Sequence, residues 1–434
     1  MNKKYLIPII LIVLIFSFCT QKSAINPFVK VENGHFTVAG KPYYYIGTNF
    51  WYGAILGSEG QGGNRERLLK ELDLMKAHGI DNLRVLVGAE GPEGIQFRVT
   101  PTLQSQPGVY NDTLLIGLDY LLAEMGKRNM KAILFLNNSW DWSGGLVQYL
   151  QWNGYKNAPV LGEENGWAKY QAFTTQYYEC DSCKAQFKKH IRYILGRENS
   201  ISKIPYTNDP AIMAWQIANE PRVFSAKNKP LFEAWISETA NLIKSLDKNH
   251  LVTTGSEGQM GSEGDIDLYQ RIHADASIDY LTIHIWPKNW SWIKPDSIQQ
   301  TVGGAILKTN EYISKHAELA KMMKKPLVIE EFGMPRDNHK YGPENPTSAR
   351  DRYYTNIFDQ VLKSARAKGE IAGCNFWAYG GMARPKTDRV FWQPGDDLMG
   401  DPGQEEQGLN SVFDTDTTML IVKEYNNKIR LLEN

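Results

Sequence analysis

The chain has 434 residues, enough for one large α/β barrel or two ordinary domains. Its 48 basic and 48 acidic residues cancel, so neither nucleic acid nor an acidic polymer is an expected partner. The 12 Trp and 22 Tyr are many for this length and leave flat rings to spare beyond those a core needs.

Residues 1–19 read as a bacterial export signal. Asn2-Lys3-Lys4 is a short positive region, Leu6 to Phe18 is almost wholly apolar, and Cys19 follows. The stretch is shorter than a comfortable membrane span of about 20 residues. A cysteine at that place resembles a lipoprotein acceptor; Ser17 suits such a site, and Phe18 is bulkier than its usual neighbour. Lipidation of Cys19, with residues 20–28 as a tether and 29–434 as the folded domain, is the expectation. Ordinary cleavage and an uncleaved anchor are the alternatives. An exported compartment permits a disulfide between Cys180 and Cys183. A surface disulfide or two unpaired thiols fits this C-x-x-C better than zinc, because no second pair and no nearby His accompany it. Cys374 reads as a small core residue.

Phe36-Thr37-Val38, Gly40-Lys41-Pro42 and Tyr43 onward predict a hairpin that leads into a first buried strand. Apolar runs then recur at 43–48, 83–87, 132–136, 212–217, 251–254, 280–285, 327–329 and 374–378. Helical periodicity fills most of the gaps, at 67–75, 114–125, 187–195, 232–246 and 352–367. Strands alternating with helices predict a single-domain (β/α)₈ TIM barrel with an N-terminal hairpin and long strand-end loops. An open doubly wound sheet is the runner-up, and no G-x-G-x-x-G follows the first strand to favour it. The Gly- and Asp-rich stretch after Tyr379 would follow the eighth strand and fold over the mouth.

Two strand ends carry carboxylates. Ala218-Asn219-Glu220-Pro221-Arg222 closes one apolar run, and Val328-Ile329-Glu330-Glu331-Phe332-Gly333 closes another. Barrel chemistry sits at the C-terminal ends of strands. Two carboxyl groups there can flank one glycosidic bond, one as acid/base and one as nucleophile. Glu220 alone also reads as a strand-end salt bridge to Arg222. Strand parity does not choose between Glu330 and Glu331, since both faces are apolar. Glu331 is preferred because it lies where the strand yields to the loop. Arg84, inside the second apolar run, needs a buried partner, and a carboxylate nucleophile suits it. His284 and Trp286 share a strand face, with Trp290 following, and Trp377 ends the last strand in the same way. Asn137-Asn138-Ser139-Trp140-Asp141-Trp142 ends the third with polar and aromatic groups. No His/Cys cluster has metal spacing, and no phosphate loop or nucleophile elbow is present.

Together these segments resemble glycoside hydrolase family 5, and within it the β-mannanase subfamily. The similar segments are "NNSWDWSGGLVQYLQW", "NDPAIMAWQIANEPR", "LTIHIWPKNW", "KPLVIEEFGMPRD" and "GDDLMGDPGQEEQGLNSVFD", in the family's order over most of the chain after residue 29. The resemblance implies Glu220 as acid/base and Glu331 as nucleophile. It implies Arg84, Asn137, Trp140, Asn219, Arg222, His284, Trp286 and Trp377 as substrate-binding or site-supporting residues. Asn219 would hold the 2-hydroxyl, Trp377 would be the sugar platform, and Arg222 would reach a product-side sugar. Many relatives carry Tyr where this chain has Trp286; an indole N–H can also donate, so its role is expected to persist with altered geometry. The implied activity is retaining endo-hydrolysis of β-1,4-mannan, galactomannan or glucomannan, by a monomer, without cofactor or metal. A β-glucanase, an exo-acting mannobiose-releasing enzyme and a non-catalytic glycan-binding protein are the alternatives.

Overall fold

In the computed structural model, residues 26–159 and 165–432 are described. The signal, Cys19 and most of the tether lie outside them.

Eight parallel strands form one sheet. In chain order they are β1 (Tyr45–Asn49), β2 (Asn82–Leu86), β3 (Lys131–Phe135), β4 (Ile212–Gln216), β5 (Leu251–Thr253), β6 (Leu281–Ile285), β7 (Leu327–Phe332) and β8 (Ile371–Phe376). The spatial order runs β5-β4-β3-β2-β1-β8-β7-β6, so β8 pairs with β1 and only the β5–β6 seam lacks a regular ladder. There the Asp279 N–H donates to the Val252 carbonyl at 2.8 Å, and the Asp279 carboxylate accepts from the Val252 N–H at 2.6 Å. The sheet is thus nearly closed into a TIM barrel.

Helices α1 (Arg65–Ala77), α2 (Asp112–Lys127), α3 (Asp181–Leu195), α4 (Lys229–Leu246), α5 (Ile266–Ala274), α6 (Ile298–Met323), α7 (Ser348–Ala367) and α8 (Thr417–Arg430) surround it. Their starts follow local rules. Asn64, Asn111 and Asp265 each accept from the backbone N–H three residues on, capping α1, α2 and α5. In α1, Leu68, Leu72 and Met75 turn one face inward and are fully buried, each worth about 1.5–3 kcal/mol relative to exposure. The 26-residue α6 is a helix that apolar periodicity does not single out. Its buried stripe runs through Val302, Ala305, Thr309, Ile313 and His316, which dilutes the hydrophobic signal.

The predicted hairpin is a small antiparallel sheet of Val29–Glu32, His35–Val38 and Lys41–Pro42. Its Val29 and Phe36 join Tyr45, Met213, Tyr280 and Val328 in one cluster that plugs the end of the barrel where the strands begin. The opposite end is left for the site. Cys180 and Cys183 form a disulfide at the N-terminus of α3, but both are buried rather than on the surface as the sequence suggested. Cys374 is buried within β8.

Candidate active site

Glu220 and Glu331 line one cavity of about 680 Å³ at the ends of the strands. A carboxylate oxygen of each and a ring nitrogen of His284 lie within 4.8 Å of one another. His284 Nδ1 is 2.8 Å from Glu220 Oε1 and 3.2 Å from Glu331 Oε2. That approach is nearer the range of about 5–5.5 Å used by retaining glycosidases than the 6.5–9.5 Å that leaves room for an inverting water.

The choice between Glu330 and Glu331 is made by a register shift. Ile283 pairs with Ile329, but His284 pairs with Glu331, so Glu330 is an extra residue in β7. Such a bulge re-aims side chains that strict alternation would send to opposite faces. Glu331 reaches the cavity; Glu330 is fully buried, accepting from Gln216 Nε2 at 2.5 Å.

Arg84 is the hub beneath them and is fully buried. Its Nη1 donates to Glu331 Oε1 at 2.5 Å and Asn49 Oδ1 at 2.9 Å, its Nη2 to Asn219 Oδ1 at 2.7 Å, and its Nε to Gln216 Oε1 at 2.8 Å. Trp286 Nε1 donates to Glu331 Oε2 at 3.3 Å, so the indole does contact this carboxylate. Burial alone would raise the Glu331 carboxyl, but the charges of His284 and Arg84, with their hydrogen bonds, hold it below its ordinary value. Burial would likewise depress His284; the Glu331 charge, the hydrogen bond to Glu220 and the nearness of the Glu330 carboxylate raise it well above the ordinary imidazole range. The Glu220–His284–Glu331 cluster has donors close enough for a metal ion. The Arg84 guanidinium already meets the Glu331 charge, and the two carboxylates draw His284 toward its protonated, non-ligating form, so the donor set does not suit a cation.

Glu220 is positioned differently. Its φ is +48°, the left-handed region that a non-glycine residue adopts at a cost and that concentrates at functional sites. Its N–H donates to the Gly255 carbonyl at 3.0 Å. Gly255 has φ +80°, and a Cβ there would meet the Ala218 carbonyl at 1.9 Å, so only glycine lets the end of β5 approach this turn. Trp140 Nε1 donates to Glu220 Oε2 at 2.5 Å. Trp140 is therefore both cavity wall and holder of Glu220.

Of the remaining expected residues, four reach the cavity and Asn137 does not. Asn219, Arg222, Trp286 and Trp377 line the cavity. Arg222 does not pair with Glu220; its Nε and Nη2 donate to Glu257 Oε2 at 2.9 and 2.5 Å, and its guanidinium lies 5.7 Å and 5.8 Å from the ring centres of Trp140 and Trp167. Asn137 does not line the cavity. It is buried behind it and accepts from the Asn138 N–H at 2.8 Å; its neighbour Asn138 is the one that accepts from Asn219 Nδ2, at 3.1 Å.

Sequence reasoning did not single out Glu257, Gln404 or Glu405, all of which line the cavity. Glu257 follows β5 as Glu220 follows β4, so the strand-end rule applied to every run would have found it. Burial pushes its carboxyl up to about 7, with Arg222 opposing. Gln404 and Glu405 sit in the long segment after β8, where no apolar run marks a strand end.

The chain matches the family described as "GH family 5 beta-mannosidase-like" over residues 26–434. It is 30% identical over 366 residues to mannan endo-1,4-beta-mannosidase 7 of Arabidopsis thaliana, covering 81% of this chain and 77% of that protein. It is 27% identical over 403 residues to mannan endo-1,4-beta-mannosidase 4 of Solanum lycopersicum, covering 89% and 93%. The structure of a glycoside hydrolase family 5 mannosidase from Rhizomucor miehei superposes with a TM-score of 0.87 at 35% identity, covering 95% of this chain and 99% of the other. An endo-1,4-beta-mannanase from the same organism shares the fold, with a TM-score of 0.67 at 24% identity over 93% and 99% of the two chains. With the family match over residues 26–434 laid over paired glutamates on a TIM barrel, this chain belongs to the β-mannosidase-like group of glycoside hydrolase family 5 and is a glycoside hydrolase.

Proposed function

We propose that the protein hydrolyses internal β-1,4-mannosidic bonds of mannan, galactomannan or glucomannan with retention at the anomeric carbon. The carrying observation is the pair of carboxyls bridged by His284, with oxygens within 4.8 Å, in one cavity. A Glu331 oxygen attacks the anomeric carbon as the glycosidic C–O bond breaks, and the Glu220 proton passes to the leaving oxygen. Water then attacks the glycosyl ester, Glu220 takes its proton, and Glu331 departs as carboxylate. The names of the plant relatives support mannan as the substrate. The test is a comparison of mannan with cellulose, with product anomers followed by NMR. At least about 10²-fold higher kcat/KM on mannan and a β-anomer first product are expected, since a site built around an axial 2-hydroxyl leaves polar groups unpaired with glucose. Equal rates on carboxymethyl cellulose would remove the mannan assignment.

An exo-acting, mannobiose-releasing action is the second reading. It is favoured by the likeness to a structure titled a mannosidase. It is also favoured by a contact between the loops after β2 and β8, where Phe97 meets the cavity-lining Phe391 at 5.4 Å between ring centres. Viscosity loss per reducing end released separates the two: internal cleavage thins a galactomannan solution early, end-wise cleavage does not.

We further propose that the mature chain is a monomer held to a bacterial membrane through a lipid on Cys19. No helix among the described residues is long and apolar enough to cross a membrane. One acyl chain anchors weakly and two or more anchor stably. Activity in the membrane fraction that becomes soluble, or remains with an uncleaved signal, in Cys19→Ala supports the anchor; a soluble wild type beginning past Cys19 refutes it.

A further inference from the structure

The segment after β8 carries a run of polar side chains that divide into two kinds. Some are fully engaged. Asp401 accepts from the N–H groups of Gly408, Asn410 and Ser411 and from the Ser411 hydroxyl. Glu406 accepts from Lys288 at 3.0 Å and Tyr341 at 3.0 Å. Between them, Gln404 Oε1 and Glu405 Oε2 have no hydrogen-bond partner among the described residues, although both atoms are buried and both residues line the cavity. The indole Nε1 of Trp377, on the same wall, is likewise without a partner. Buried polar atoms are nearly always paired, and although the Trp377 N–H lies near the Glu405 carboxyl, none of these atoms on the cavity wall has a well-formed hydrogen bond, which marks a place where something else supplies partners.

We propose that Gln404 and Glu405 are specificity-determining contacts that hold the hydroxyls of the glycone sugar seated against Trp377. This rests on the catalytic roles given above to Glu220 and Glu331. The leaving sugar departs on the side of Glu220, which Trp140 holds; Arg222 lies against Trp140 and Trp167 and pairs with Glu257 there. Trp377 packs edge-on against Trp286, the donor to Glu331, and the Glu405 carboxyl lies close enough to feel the Glu331 charge, so the sugar that Gln404, Glu405 and Trp377 face is the one that becomes bound to the nucleophile. The engaged residues explain why the two are aimed inward: Asp401 and Glu406 pin the backbone on either side of them. Burial, with the charges of Asp401 and Glu331, pushes the Glu405 carboxyl up to about 8. Lys288 opposes that rise, as does the Trp377 N–H, which is near Glu405 but not in hydrogen-bonding geometry. That rise draws Glu405 toward its neutral form, which both donates and accepts, the character needed to read a sugar hydroxyl.

The test uses Gln404→Ala, Glu405→Ala and Glu405→Gln in the full-length protein. Each Ala variant should lose about 10- to 100-fold in kcat/KM, because it leaves a substrate hydroxyl unpaired. The loss should be equal on mannotetraose and on an aryl β-mannobioside, since both present the same glycone. Glu405→Gln should keep most of the activity, because an amide also donates and accepts. Wild-type kcat/KM in both Ala variants, or a loss confined to mannotetraose, would overturn the proposal. If Glu405→Ala fails to fold, Gln404→Ala and Glu405→Gln still decide it. Calorimetric binding of mannotetraose and cellotetraose in a Glu220→Gln background separates this proposal from the mannan reading. Affinity for cellotetraose that falls when Glu405→Ala is added, with no binding of mannotetraose in either background, would keep the contact and reject mannan as the substrate. Affinity for mannotetraose that does not change would reject the contact and leave mannan in place.

Discussion

Glu331 at the end of β7 and Glu220 beyond the end of β4 share one imidazole, yet their other partners differ in kind. Glu331 receives a guanidinium at 2.5 Å and an indole N–H at 3.3 Å, and its carboxyl is held below the ordinary range. Glu220 receives an indole N–H and no guanidinium, and it stands on a left-handed backbone braced by the end of β5. A nucleophile must stay charged between turnovers, and a fixed buried cation does that. An acid/base must change charge twice per turnover, and a permanent cation against it would hinder the first transfer. On the roles proposed for them, the difference between the two strand ends is a difference between a stored charge and a travelling proton.

Removing the stored charge is the strongest way to break this comparison. Glu331→Gly should lower polysaccharide hydrolysis by roughly 10⁴-fold or more, as expected when a residue that forms the covalent intermediate is lost. Reducing-sugar release from mannan measures it. Substantial activity in Glu331→Gly, with its loss in Glu330→Gly, would exchange the roles of the two neighbours.

Removing the travelling proton should be milder and should depend on the leaving group. Glu220→Ala is expected to lose about 10²–10⁴-fold on mannan, the usual scale of general acid catalysis. It should lose far less on a dinitrophenyl β-mannoside in the glycosylation step, because that leaving group needs no proton. Equal losses on both substrates would show that Glu220 supports the site rather than protonates the aglycone.

Arg84→Met sharpens the electrostatic half. With the guanidinium gone, Glu331 loses one of the two charges that lower its pKa, so its pKa rises. The ionised nucleophile is then lost at a higher pH as acid is added, and the acid limb of the pH–rate profile moves upward. The same sign holds for stability: a carboxyl with a depressed folded pKa stabilises above its unfolded value, and that contribution fades as pH falls through the folded pKa. Breaking a buried pair typically costs about 3–5 kcal/mol, so a lower midpoint of thermal unfolding is expected alongside the shifted limb. An unshifted acid limb in a folded variant would remove Arg84 from the account of Glu331.

Much of this contrast is legible in the sequence, and the unread parts have physical reasons. The barrel follows from alternating apolar runs and helical stretches, because strands buried on both faces leave a strong local signal. Arg84 stands out because a cation inside such a run demands a partner. The choice between Glu330 and Glu331 does not follow from alternation, because the β7 bulge depends on pairing with β6, which is remote in sequence. Asn137 and Asn138 are adjacent and alike, and only the turn after β3 decides that Asn137 meets the Asn219 N–H with its backbone carbonyl while Asn138 meets the Asn219 amide with its side chain. Gln404 and Glu405 were silent because a loop has no period from which to infer a facing side.

The smallest effect tests the indole on the stored-charge side. Trp286 places an N–H on Glu331 Oε2, with its ring edge-on to Trp377 at 6.0 Å between centres. Trp286→Phe keeps most of the ring contact and deletes the donor. A hydrogen bond to a charged group contributes about 1.5–3 kcal/mol, and the longer 3.3 Å contact belongs at the weak end, so roughly a 10-fold loss in kcat is expected. Trp286→Tyr restores a donor of different reach and should recover part of it. The acid limb should move upward slightly in Trp286→Phe, in the same direction as in Arg84→Met but by less, because a neutral dipole stabilises the carboxylate less than a full charge does. If the Phe variant matches the wild type in both kcat and acid limb, the indole acts as cavity wall alone, and the charge on Glu331 is set by Arg84 and His284 without it.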